Sequence, residues 1–96
     1  MSSLYRVSPD LVLERFTNTA LILLASRDRF VTVNQPAADV LLRMQCSFGD
    51  LPFSSAQLAA LLRTHYRIGK VQALKEAGDI VASWTQQGIL IGSQPI

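Results

Sequence analysis

The spacing of apolar residues changes at Asn34, and this change constrains the fold more than any other feature of the chain. Before Asn34, apolar residues alternate with polar ones or form short runs rich in β-branched side chains, which is typical of β-strands. After it, they recur every three or four residues, which is typical of amphipathic helices. The sequence therefore predicts an α+β fold in which a three-stranded antiparallel β-sheet is followed by three α-helices.

Turn signals divide the first third of the chain into three predicted strands, over residues 11–16, 19–25 and 29–33. Asn18 predicts a turn between the first two strands, and the polar segment from Ser26 to Arg29 is short enough for a hairpin loop. In a simple meander, the third strand pairs only with the second. Its other edge is then open unless a helix covers it.

Helix start and stop signals divide the remaining chain into three predicted helices. Asn34 is a suitable N-cap for the first, and Pro36 belongs in its first turn, where the missing N–H costs nothing. A serine caps the second, and the third runs from about Lys70 to Gln87, with Gly88 as its C-cap residue. Residues 89–91 either fold back onto the core or form a short strand. The predicted core comprises Val33, Ala38, Leu41, Leu58, Leu62, Tyr66, Val81 and Trp84.

Composition argues against several classes of function. The chain has one histidine, His65, and one cysteine, Cys46, so the usual four-ligand zinc site cannot be assembled from it. No nucleophile or phosphate-loop motif occurs, so we expect neither catalysis nor a cofactor. Cys46 is expected to be a buried, unreactive thiol, which fits the reducing cytoplasm. The longest apolar run, Ala20 to Ala25, is far shorter than the roughly 18–20 residues of a membrane span, and we expect no signal peptide.

The order of the motifs resembles the pyrroloquinoline quinone biosynthesis protein D (PqqD) family. The segment 33–41, Val-Asn-x-Pro-Ala-Ala-x-Val-Leu, is similar to that family's hydrophobic-Asn-x-x-Ala-Ala-x-Ile-Leu signature. Segments 57–62 and 66–68 look like its second helix and Tyr-x-Val exit. The pairs Glu76-Ala77 and Ile80-Val81, then Trp84 and Gly88-Ile89-Leu90, look like its third helix and closing segment. The similarity covers about residues 5–91 of a single domain spanning residues 1–96.

The resemblance implies a winged-helix-like domain without catalysis of its own. Such a domain binds the leader segment of a ribosomally made precursor peptide and presents it to a modifying enzyme, often a radical SAM enzyme. The pathway would make pyrroloquinoline quinone or a related peptide-derived product. An open strand edge suits this role, because a peptide can add to it as a further strand.

The predicted site is a groove between the third strand and the third helix. Helix three is expected to pack near the strand and bury Leu74 and Val81, while Gly78 leaves space for a peptide side chain. Arg27, Arg29, Lys70 and Lys75 would form a basic rim for an acidic leader. The predicted peptide-binding residues are Arg29, Phe30, Val31, Thr32, Val33, Val71, Leu74, Lys75, Gly78 and Val81.

Other interpretations of the same residues remain open. The strand also fits an ordinary core strand, Gly78 fits close packing, and the cations fit a solvated surface. A winged helix that binds DNA would use Arg63, Arg67 and Lys70 on phosphates, although Glu76 and Asp79 on helix three disfavour nucleic acid. A small accessory subunit could instead form a homodimer through its strand edge.

Overall fold

The computed structural model describes residues 3–17, 19–25 and 28–93. Asn18, Ser26 and Arg27, on which two predicted turns and one cation of the predicted rim fall, lie outside the described residues. The elements in chain order are β1 (Leu4–Val7), β2 (Leu11–Arg15), β3 (Ala20–Leu24), β4 (Arg29–Val33), α1 (Gln35–Phe48), α2 (Ser55–His65), α3 (Lys70–Gln87) and β5 (Leu90–Ser93).

The predicted three-stranded antiparallel sheet is confirmed, with strand order β2-β3-β4. Its central strand alternates strictly, and Ala20, Ile22 and Leu24 are all buried. On the flanking strands, Leu11 and Leu13 of β2 pack against the same core. One face of the sheet is therefore buried, as period-two alternation predicts.

A second, two-stranded sheet is absent from the sequence-based prediction. Here β1 pairs antiparallel with β5, and Val7 lies opposite Leu90. Of the two alternatives for residues 89–91, the short strand is correct, and Ile89 and Leu90 are also buried in the core. Both ends of the described chain therefore meet on one side of the core.

Phe53 ties this second sheet to the loop between α1 and α2. The Tyr5 N–H donates to the Phe53 carbonyl at 2.8 Å, and the Phe53 N–H donates to the Tyr5 carbonyl at 2.7 Å. The Phe53 side chain is completely buried, and its ring stacks on Phe48 with 4.6 Å between centroids. The loop that interrupts the helices is therefore anchored in the core.

The helix boundaries follow from local capping. The Asn34 side chain accepts from the Ala37 N–H at 2.9 Å, and Ser54 forms a reciprocal capping box with Gln57. Gly88 ends α3 in the left-handed region, with φ of 87°, which a glycine adopts without steric cost. The predicted start of α1 and both ends of α3 are correct.

Six of the eight predicted core residues are buried, and two are not. Val33 is only half-buried because β4 is an edge strand, and Tyr66 is half-buried because its hydroxyl reaches a surface carboxylate. The predicted burial of Leu74 is wrong, because the buried face of α3 is centred on Ala73, Ala77, Val81 and Trp84.

The predicted burial of Cys46 is also wrong. Helix α1 buries Ala38, Leu41 and Met44. Cys46 follows Met44 by two positions, or about 200° around the helix. Its thiol is therefore exposed.

Candidate functional site

The hydrogen-bonding direction of each strand residue follows from the β2–β3 hairpin. The Phe16 N–H donates to the Thr19 carbonyl at 2.8 Å, so these two residues face each other across the hairpin. In an antiparallel pair, successive residues direct their backbone groups to opposite sides. By this alternation from Thr19, the backbone N–H and C=O groups of Leu21 and Leu23 bond to β2. Those of Ala20, Ile22 and Leu24 bond to β4.

The same alternation identifies the groups at the outer edge of β4. Arg29, Val31 and Val33 lie opposite residues of β3 that bond toward β4. The N–H and C=O groups of Phe30 and Thr32 therefore point away from the sheet. Because β4 is the last strand in the order β2-β3-β4, these four groups lie on an open edge.

The side chains of β4 alternate between the core and the solvent, as the sequence predicts. Val31 and Val33 are half-buried and pack against the core, whereas Phe30 and Thr32 are exposed. Phe30 is 61% exposed and lies opposite Leu23, which in turn lies opposite Val12 on the outer face of the sheet. The strand is thus held by the core on one face and presents an apolar row on the other.

The α3 residues of the predicted site do not form a wall beside β4. Val81 is buried in the core, and α3 packs principally against α2 and β5. Leu74, which is 46% exposed, lines a cleft of about 190 Å³ whose other lining residues belong to α2 and α3. Val71 and Lys75 are exposed beside it.

Gly78 is exposed on α3, and a Cβ atom built there would meet no atom within 4 Å. Close packing of another element therefore does not explain this glycine. The predicted open space at Gly78 is present, but Leu74 on the same side of the helix faces α2.

A small cleft that the sequence did not reveal lies close to the end of β4. Pro36 and Val40 of α1, Ile68 after α2 and Ile80 of α3 line it, and its volume is about 220 Å³. Pro36 follows Val33, the last residue of β4, by three positions. The residues of α3 that line this cleft are Glu76 and Ile80, and not Gly78.

Four polar side chains, from α1, the end of α2 and the residue that follows α2, form a second unpredicted feature. The Tyr66 hydroxyl donates to Asp39 Oδ2, and Arg43 Nε donates to the same oxygen at 3.0 Å. Arg43 Nη1 lies 2.9 Å from His65 Nδ1, and its guanidinium lies 5.7 Å from the Tyr66 ring centroid. Each group is paired within the cluster, so it links the two helices.

This pairing shifts two acid–base equilibria. The hydrogen bond from Tyr66, followed by that from Arg43, holds the pKa of Asp39 below its usual value. Burial, followed by the bond to Asp39, raises the pKa of Tyr66. Both shifts favour an ionised carboxylate that accepts from a neutral phenol.

Within residues 3–17, 19–25 and 28–93, no three histidine, cysteine, aspartate or glutamate side chains come together as a possible metal site. Over the same ranges, none of the helices has both the length and the apolar character needed to span a bilayer.

Comparisons of the chain with protein-family models, with curated proteins and with solved structures found no match.

Proposed function

We propose that this chain is a non-catalytic peptide-binding protein. It takes the leader segment of a ribosomally made precursor peptide onto the edge of β4 and presents it to a modifying enzyme, such as a radical SAM enzyme. The product is pyrroloquinoline quinone or a related peptide-derived compound. The observation that carries the proposal is the open edge at Phe30 and Thr32, where two N–H and two C=O groups face away from the sheet.

Main-chain pairing at this edge supplies affinity without requiring one peptide sequence. An intramolecular hydrogen bond contributes about 0.5–1.5 kcal/mol net, so four such bonds would contribute on the order of 2–6 kcal/mol. The burial of Val31 and Val33 supports this role, because the strand is ordered before the peptide arrives.

Selectivity would come from the side chains that flank the edge. On the outer face, Phe30 and Leu23 would contact alternate residues of the added strand. At the end of β4, the cleft lined by Pro36, Val40 and Ile80 has room for one apolar side chain. The site we propose therefore keeps the β4 residues of the sequence-based prediction and replaces its α3 wall with Ile80.

The winged-helix-like arrangement implied by the PqqD resemblance belongs to the same proposal. Its support is a three-stranded antiparallel sheet joined to three helices, with α2 and α3 separated by the short turn at residues 66–69. Among the described residues of the predicted basic rim, Arg29 lies at this edge and is exposed at the start of β4.

Substitution of Thr32 tests the proposed edge directly. Thr32→Pro removes an outward N–H and leaves the ladder to β3 intact, so we expect roughly two- to tenfold weaker binding of the precursor peptide encoded beside this gene. Fluorescence anisotropy with the labelled peptide measures the Kd, and a circular-dichroism melt checks that the variant folds.

Control variants separate the backbone effect from others. Thr32→Val keeps the N–H and should bind nearly as the parent does. Arg15→Pro places a proline on the opposite edge of the sheet, where the N–H also points outward. Because it also removes the hydrogen bonds from Arg15 to Gln35, it is compared with Arg15→Ala, and the two variants should have the same Kd. The proposal is wrong if folded Thr32→Pro binds the peptide as tightly as the parent.

The same samples distinguish the other occupants of the edge. A parent dimer that Thr32→Pro converts to a monomer in sedimentation experiments, without peptide binding by the parent, would assign the edge to a second copy of the chain. Tight, strongly salt-dependent binding of duplex DNA would instead favour phosphate contacts by Arg63, Arg67 and Lys70.

A further inference from the structure

The groove between α2 and α3 has a floor of small side chains and one apolar wall. Ala56, Ala59 and Ala60 of α2 line it from one side, and Leu74 of α3 lines it from the other, around a volume of about 190 Å³. Alanine side chains let another backbone approach closely, so the groove is open along the helices.

Apolar side chains on the α3 side of this groove are unusually exposed. Val71 is 82% exposed and Leu74 is 46% exposed, although both are large and hydrophobic. Positions 71, 74 and 78 recur at helical spacing, so Gly78 extends the same side of the helix by one turn. Because a Cβ at Gly78 would meet nothing within 4 Å, the space above this turn is unoccupied.

The two charged side chains that line the groove are both positive. Arg63 and Lys70 line it, and Lys75 lies one turn after Val71. None of these three cations forms an ion pair with another described residue. By helical spacing, Glu76 lies on the other side of the helix, where it lines the cleft with Ile80. Asp79 is exposed one turn after Lys75 on the same side as that lysine, so the basic rim of the groove consists of Arg63 and Lys70.

These features indicate which kind of molecule would bind in the groove. A groove along two helices offers no open strand edge, so an occupant must dock by its side chains, as an amphipathic helix does. An apolar centre formed by Val71 and Leu74 offers a phosphate backbone no partner, whereas it matches the apolar stripe of a helix. Acidic residues beside the apolar stripe of such a helix would complement the basic rim of the groove.

We infer that the α2–α3 groove is a docking surface for an acidic amphipathic helix of a partner protein. Naming that protein as the modifying enzyme rests on the proposed function. The surface itself does not, because the groove and the edge of β4 share no residue.

A synthetic helix of about 18 residues, or five turns, tests this inference. It carries leucines along one face and glutamates beside them, and a matched peptide has lysines in place of the glutamates. In titrations of the ¹⁵N-labelled full chain, the acidic helix should shift the amide signals of residues 56–63 and 70–78. The lysine peptide should bind at least about tenfold more weakly.

Variants of α3 complete the test. Leu74→Glu adds an acid to the groove and should weaken the acidic helix by at least about tenfold. Gln86→Glu adds the same charge at an exposed position near the end of α3, twelve residues or about 18 Å along the helix from Leu74, and should leave the Kd unchanged. Circular-dichroism melts check that both variants fold.

Equal binding of the acidic and basic peptides, absence of binding, or shifts confined to β4 would overturn the inference. Thr32→Pro should still bind the acidic helix, and Leu74→Glu should still bind the precursor peptide. The helix-binding inference for the groove and the peptide-binding proposal for the β4 edge can therefore be refuted independently.

Discussion

Replacement of Phe53 with alanine tests whether the loop before α2 is part of the core. The side chain is completely buried, and Phe→Ala at such sites costs about 3–5 kcal/mol through lost burial and the cavity left behind. Stacking on Phe48 places the expected cost in the upper part of that range, because aromatic pairs contribute about 0.5–1.5 kcal/mol. A domain of this size has a total stability of roughly 5–14 kcal/mol, so the loss is a large fraction of it.

Urea denaturation followed by far-ultraviolet circular dichroism measures the effect. With a slope of about 1.5 kcal/mol per molar urea, the midpoint should fall by about 2–3 M. Phe16→Ala and Phe30→Ala are matched controls, because these rings are 55% and 61% exposed and the same truncation should cost within about 0.5 kcal/mol. A Phe53→Ala midpoint equal to that of either control would refute the placement of Phe53 in the core.

The remaining predictions use the same denaturation assay. Trp84→Ala should cost about 3–5 kcal/mol because the indole is buried, and an unchanged midpoint would place Trp84 on the surface. Gly78→Ala should raise the stability by about 0.5–1 kcal/mol, because the added methyl group meets nothing and alanine favours the helix; a lower midpoint would contradict this. The lowered pKa of Asp39 adds stability that is present above its unfolded value of about 3.9 and is lost as pH falls through the folded pKa. The raised pKa of Tyr66 adds stability that is present below about pH 10 and is lost as pH rises through the folded pKa. Tyr66→Phe should therefore reduce the pH dependence of stability at both the acidic and the alkaline end. Identical profiles of midpoint against pH for Tyr66→Phe and the parent would exclude this coupling.

Helix boundaries could be predicted because their causes are local. Asn34 accepts from an N–H three residues later, and Gly88 adopts a left-handed conformation that few other residues tolerate. The strands of the β2-β3-β4 sheet are likewise joined by short turns, so alternation and turn residues suffice to locate them. All of these signals lie within a few positions of the structure that they determine.

The missed features depend on partners that are distant in sequence. Strand β1 forms because Leu4–Val7 pairs with Leu90–Ser93 at the other end of the described chain. The sequence of a four-residue segment does not indicate such a distant partner. The bond from Tyr66 to Asp39 likewise joins two helices. No local pattern relates either pair, so neither could be predicted without the fold.

The candidate site was also predicted in part, since its local features follow from the sequence and its long-range neighbours do not. Alternation correctly separates Val31 and Val33 from Phe30 and Thr32, because this depends only on strand geometry. Helical periodicity identifies the buried face of α3 but does not say which neighbour lies on each side of it. The side that carries Leu74 faces α2, and the side that carries Ile80 shares a cleft with Pro36 and Val40 of α1.

The position of α3 between these two clefts shows how the proposed peptide-binding protein could present its peptide to a partner. One side of the helix contributes Ile80 to the cleft near β4, and the other contributes Leu74 to the groove on α2. An 18-residue helix is about 27 Å long and is held in the core by Ala77 and Trp84, so its two sides cannot move independently. A peptide on β4 and a partner helix on α2 would therefore be kept at a fixed separation and orientation. Presentation in this sense requires only two docking surfaces and a rigid element between them, and a rigid connection reduces the entropy lost when the second partner binds.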